Sequence, residues 1–202
     1  MPDRMLIFPL LFLMLGPFKI IGPFAKMTQG SDPILIRQLA IRSIIFSSAA
    51  LLIAAFLGEM IIRKYGIPLP ILGISGGIIL FLVALLNVIQ QFAPIEASNK
   101  NVVTPTLNMA MNPLAFPTIV TPYGIAAVIV ILAYSPDLNS KIVVGATVVG
   151  IMLLNLLVML ITRHVFKFLA IFLAILGAIL GVIQVALGLL IINNQLRILL
   201  KL

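Results

Sequence analysis

The stretch "MAMNPLAFPTIVTPYGIAAVIVIL", residues 109–132, decides how the chain is read. It is apolar and long enough to cross a bilayer, yet it holds Pro113, Pro117 and Pro122. Each proline lacks an N–H and crowds the carbonyl four residues back, so the run frees backbone acceptors around residues 109, 113 and 118. At membrane depth such acceptors survive only where protein or a water-filled cavity satisfies them. A span broken three times therefore implies a protein interior at that depth.

The rest of the chain agrees with a membrane setting. Of its 202 residues 62% are hydrophobic and 9% charged, and the mean hydropathy is +1.29. No water-soluble globule of this size accommodates that composition. A spanning helix needs about 20 mostly apolar residues. Six stretches meet that length: Met5–Ala25, Ser43–Ile62, Ile67–Ile89, Leu107–Tyr134, Ile142–Thr162 and Phe168–Ile192. The connections "KMTQGSDPILIRQ" and "QFAPIEASNKNVV" are short and polar, so one transmembrane domain over residues 1–202 is expected. The N-terminus reads as the first span rather than a leader, because Asp3 offsets Arg4 and no small-x-small cleavage site follows.

A net charge of +8 invites a nucleic-acid reading. The basic residues, however, stand singly or in pairs at span ends, where anionic lipid headgroups meet them, and no basic stripe is interleaved with aromatics. Membrane lipids are the expected partners and nucleic acid is not. With no cysteine and one histidine, no disulfide, metal site or cofactor is expected. Basic residues divide evenly between the two sides, so orientation stays open, as does homo-oligomerisation.

The chain reads as two copies of one unit, approximately residues 5–92 and 107–192. Gly16-Pro17 falls on Asn112-Pro113, Arg63-Lys64 on Arg163-His164, and the GxxxG pair Gly73 and Gly77 on Gly177 and Gly181. GxxxG lets helix backbones approach closely in lipid, which makes these four glycines helix-packing candidates. Three spans per copy is odd, so the second copy enters the membrane in the opposite sense. The expected architecture is six transmembrane helices in two inverted three-helix repeats, with the first and fourth helices broken.

Breaks at matching positions of inverted halves point to a transporter's central site. The candidates for binding a small-molecule substrate are Asn112, Pro113, Pro117, Thr118, Thr121 and Pro122 in the fourth span, and Gly16, Pro17, Lys19, Gly22 and Pro23 in the first. Lys19 has two readings. A lysine at span depth costs ~2.5 to 3.5 kcal/mol unless solvated or paired; it either meets a substrate carboxylate or snorkels to the interface near Lys26. Thr118 and Thr121 either serve a substrate or re-satisfy the opened backbone. Glu59, one turn before Arg63, reads as half of an i,i+4 ion pair, and Asn155 and Gln184 as interhelical hydrogen-bonding groups.

The run "GEMIIRKYGIPLPILGISGGIILFLVALLNVI", Gly58 to Ile89, followed by "NPLAFPTIVTPYG", resembles the MarC family of six-span inner-membrane proteins, also classed as neutral amino acid transporters. The resemblance covers Met5 to Ile192. It implies a multi-pass inner-membrane transporter of small neutral amino acids such as glycine or alanine, and adds Gly124 to the site. The chain departs from the family pattern in its first span, where Gly16 replaces a polar residue, Lys19 a glycine, and Pro23 falls one place late; in the fourth span Tyr123 is inserted before Gly124.

Two alternatives belong to other classes. "GISG" at Gly73–Gly76 resembles the nucleophile motif of rhomboid intramembrane proteases, but Ser75 has only His164 as a base, and His164 sits between Arg163 and Lys167 at a span end. No catalytic residues are therefore assigned and no enzyme is expected. A non-transporting membrane subunit docked through glycine faces is the other alternative.

Overall fold

The computed structural model of the chain describes residues 4–92, 105–135 and 137–201; the side chains of residues 4–7, 63, 90–92, 163–174 and 176 fall outside that description. The second polar connection, from residue 93 on, and the side chains of Arg63, Arg163 and His164 thus lie outside the described residues.

All regular elements described are helical. Helices α1 (Arg4–Leu15) and α2 (Phe18–Met27) share one span, Phe8–Met27, interrupted at Gly16-Pro17. Helix α3 runs from Pro33 to Tyr65. It begins ten residues earlier than hydropathy places it, for a local reason: Asp32 accepts a hydrogen bond from Ile34 N at 3.2 Å, and Pro33 takes the first helical position, where its missing N–H costs nothing. Helix α4 (Leu69–Phe92) follows Gly66, whose φ of +61° turns the chain.

The fourth span is the irregular one. A 3-10 turn at Leu107–Ala110 leads into a π-type stretch, Met111–Ile119, in which Asn112 and Phe116 leave helical geometry at φ −133°. After a 62° bend the chain resumes as α5 (Pro122–Ala133). Thr121 caps α5 by accepting from Gly124 N at 3.2 Å, and Pro122 again holds the first helical position.

Helix α6 runs from Leu138 to Leu200 and holds two candidate spans, Leu138–Thr162 and Gly177–Leu200. Asn155 and Gln184, one in each span, both reach the last turn of α1. Along a straight helix they would stand more than ~40 Å apart at ~1.5 Å per residue. The two legs of α6 therefore lie side by side, and the chain reverses between them. The result is an all-α membrane protein with five candidate spans, or six when the bent pair counts as one.

Glycines seat α4 against the second leg of α6. A Cβ at Gly77 would lie 2.9 Å from Ile192, one at Gly73 2.7 Å from Gln195, and one at Gly181 2.8 Å from Val88, so the two run antiparallel. The tightest backbone approach between these two helices belongs to Gly188, whose Cβ would meet Phe81 N at 2.8 Å. Gly177 is different: a Cβ there meets no described atom within 4 Å. Leu11 and Leu15 of α1, Phe24 of α2, Leu39 and Leu51 of α3 and Met152 of α6 fill the interior, while Phe46, Leu52, Ile53 and Phe56 of α3 face outward, where lipid replaces water as the solvent.

Candidate functional site

The last turn of a helix leaves four carbonyls without intrahelical partners. At the end of α1 the four are Leu13, Met14, Leu15 and Gly16: Phe12 still accepts the helix's own i→i−4 bond from Gly16 N at 2.8 Å, and Pro17, next in line, cannot donate to Leu13. Three of the four find side-chain partners. Leu13 accepts from Gln184 Nε2 at 2.8 Å, Met14 from the Lys19 ammonium, and Leu15 from Asn155 Nδ2 at 2.8 Å. Both legs of α6 and α2 thus converge on one break. Asn155 and Gln184 are buried, with 1% and 5% of their surfaces exposed. They bond between helices, and what they bond to is the backbone that the break opened.

The second break closes on itself more locally. Thr118 Oγ1 donates to the Pro113 carbonyl at 2.8 Å, and Val120 N to Ala115 O at 2.9 Å. Thr118 and Thr121 both serve the backbone here. The two breaks meet where α5 begins. A Cβ at Gly124 would lie 2.6 Å from Leu15 Cδ2, so the missing side chain is what lets α5 sit on the end of α1.

Lys19 points inward. Its ammonium donates to Met14 O and to the Tyr123 hydroxyl, and stands 4.1 Å from the centre of the Tyr123 ring. A carbonyl at a helix C-terminus, a phenol oxygen and an aromatic face each favour a cation. Among the described residues no carboxylate pairs with it. Glu59 pairs with Lys141, across to the start of α6, while the side chain of Arg63, its expected partner, lies outside the described residues.

Met14 and Tyr123 also line a cavity of about 570 Å³ between α1, α4, α5 and the end of α6. Its walls are Leu10, Ala127, Val130, Ile191 and the glycine face of α4. Polar groups gather at the far end, where the Tyr134 hydroxyl donates to Gln195 Oε1 at 3.1 Å beside Asn194 and Arg197. None of the twelve substrate candidates read from the sequence is in the wall itself. Gly16, Pro17, Thr121 and Gly124 are buried in helix contacts, Gly22 and Thr118 are half-buried, and Pro23, Asn112, Pro113, Pro117 and Pro122 lie on the outer surface. Lys19 stands directly behind the wall. Tyr134, Asn194, Gln195 and Arg197 were not singled out from sequence, and Tyr123 was noted only as an insertion before Gly124; the polar cluster from Asn193 to Arg197, closing an apolar run, was the available signal.

Ser75 gives no sign of activation. It is exposed, and its hydroxyl donates to Ile71 O of its own helix at 3.0 Å.

These features define a multi-pass α-helical membrane protein with a bent span and a part-apolar cavity beside its helix breaks. The chain belongs to the MarC family: the profile described as "MarC family integral membrane protein" matches residues 3–200. It is similar to a UPF0056 membrane protein of Methanocaldococcus jannaschii, 35% identical over 69% of this chain and 68% of that one. It is also similar to a UPF0056 membrane protein of Aquifex aeolicus, 28% identical over 65% of this chain and 63% of that one. The UPF0056 inner membrane protein YhgN of Escherichia coli is 25% identical over 67% of each chain. These names carry no enzymatic activity. No solved structure matches the chain.

Proposed function

We propose that the protein is an inner-membrane transporter of small neutral solutes, of which small neutral amino acids such as glycine and alanine are the class, built from two inverted three-helix repeats. The observation that carries the reading is the cavity of about 570 Å³ at the meeting of two interrupted spans. Small-molecule sites are concave, largely apolar and furnished with a few placed polar groups, and this cavity has that make-up. The break residues serve it indirectly in this reading, by ending helices where Lys19 and Tyr123 must stand.

The inverted repeat draws support from packing. The spacing that carries Gly73 onto Gly177 also carries the Gly77–Ile192 contact onto the Val88–Gly181 contact. Two helices related by a two-fold axis in the membrane plane make such reciprocal contacts.

The test is uptake and counterflow of labelled glycine and alanine in liposomes holding the purified chain. Saturable exchange above protein-free liposomes is the expected result. No exchange of any small neutral amino acid would end the transporter reading and favour a non-transporting subunit.

A further inference from the structure

A buried charge without a counter-ion is costly, and proteins hold one where something else completes it. Lys19 is such a group: it sits half-buried at span depth, and among the described residues its partners are one carbonyl, one hydroxyl and one ring, none of them anionic. The two residues that hold it, Met14 and Tyr123, are both cavity wall. The cation thus lies one residue's thickness behind a largely apolar surface, where its field is weakly screened. Among the described residues no aspartate or glutamate lines the cavity, and Arg197 adds a second positive group at its far end.

The donor count adds direction. An ammonium has three N–H groups, and two are engaged here. The Tyr123 oxygen accepts from Lys19, so its own proton is left to donate elsewhere, polarised by the cation behind it. That O–H stands on the cavity wall with the ammonium directly behind it, which makes it a charge-assisted donor to one oxygen of a carboxylate.

We infer that the Lys19–Tyr123 end of the cavity is a carboxylate subsite, with Tyr123 determining specificity and Lys19 supplying the charge behind it. This rests on the proposed transport reading and deepens it: the substrate is a small carboxylate, either an amino acid zwitterion or a simple monocarboxylate.

Calorimetry on the full chain in lipid nanodiscs, with L-alanine, propionate and L-alaninamide as probes, tests it. The parent protein binds alanine at least about tenfold tighter than alaninamide, as a charge-assisted hydrogen bond implies. The tighter of alanine and propionate identifies the source of the carboxylate. Tyr123→Phe weakens the preferred carboxylate about 10- to 100-fold and leaves alaninamide within about twofold. Lys19→Met, which keeps the stem and removes the charge, moves the same ratio and stands in should Tyr123→Phe not fold. A folded Tyr123→Phe protein with the parent's preference overturns the inference, as does a parent that binds alaninamide as tightly as alanine. If such a parent still exchanges labelled alanine in liposomes, the subsite alone is wrong; a parent that binds none of the probes and exchanges no small neutral amino acid takes the transport reading with it.

Discussion

Replacing Gly188 by alanine puts a methyl group where α4 already stands. The new Cβ would lie 2.8 Å from Phe81 N and 2.9 Å from both Phe81 Cα and Cβ, against 3.4–4 Å for ordinary contact. Two of these atoms are backbone, which no rotamer change can move. The helices must part by about 0.5 to 1 Å, and a gap of that size forfeits a quarter to a half of each dispersion contact along the seam. Overpacking of this kind costs about 1–3 kcal/mol, offset by the ~0.5–1 kcal/mol that alanine gains over glycine inside a helix. Gly177→Ala has only the gain, because its Cβ meets no described atom within 4 Å. The two variants should therefore differ by about 2 kcal/mol, or about 4–8 °C in melting temperature for a chain of this size. Far-UV circular dichroism of both proteins in one fixed detergent measures it. A Gly188→Ala protein as stable as Gly177→Ala would refute the antiparallel seam.

The caps on the first break have separate expected costs. Gln184→Leu strands the Leu13 carbonyl and should destabilise by about 1–3 kcal/mol, whereas Asn155→Leu strands that of Leu15 but also removes a buried amide oxygen that has no partner among the described residues, so it should cost less; chemical unfolding in mixed micelles compares them. The chain has no cysteine, so single cysteines at Gln29 and Asn139 can be labelled with an impermeant thiol reagent; they should react from opposite sides of the membrane, and labelling from one side would break the topology. Ser75→Ala should leave unfolding and any exchange activity within about 0.5 kcal/mol of the parent, since the hydroxyl only back-bonds to its own helix; loss of activity in a folded protein would revive the protease alternative.

Hydropathy and proline placement made the membrane class, the six apolar runs and the break of the fourth span legible in the sequence, because each depends on residues close together in the chain. A bilayer tests about 20 residues at a time, and a proline acts within one helical turn. The start of α3 was equally local, written as Asp32-Pro33, and only the weight given to hydropathy hid it. Pairings between distant segments were not legible. Nothing near Asn155 or Gln184 says that both end on α1, and nothing near Tyr123 says that Lys19 reaches it. Gly177 and Gly188 look alike in sequence and differ only in whether another helix's backbone lies opposite. The sequence by itself determined where the chain must leave regular helix and so expose backbone polar groups. Tertiary structure decided which side chains answer each exposed group and where a cavity is left over, because those depend on how six segments pack, and packing is a property of all of them at once.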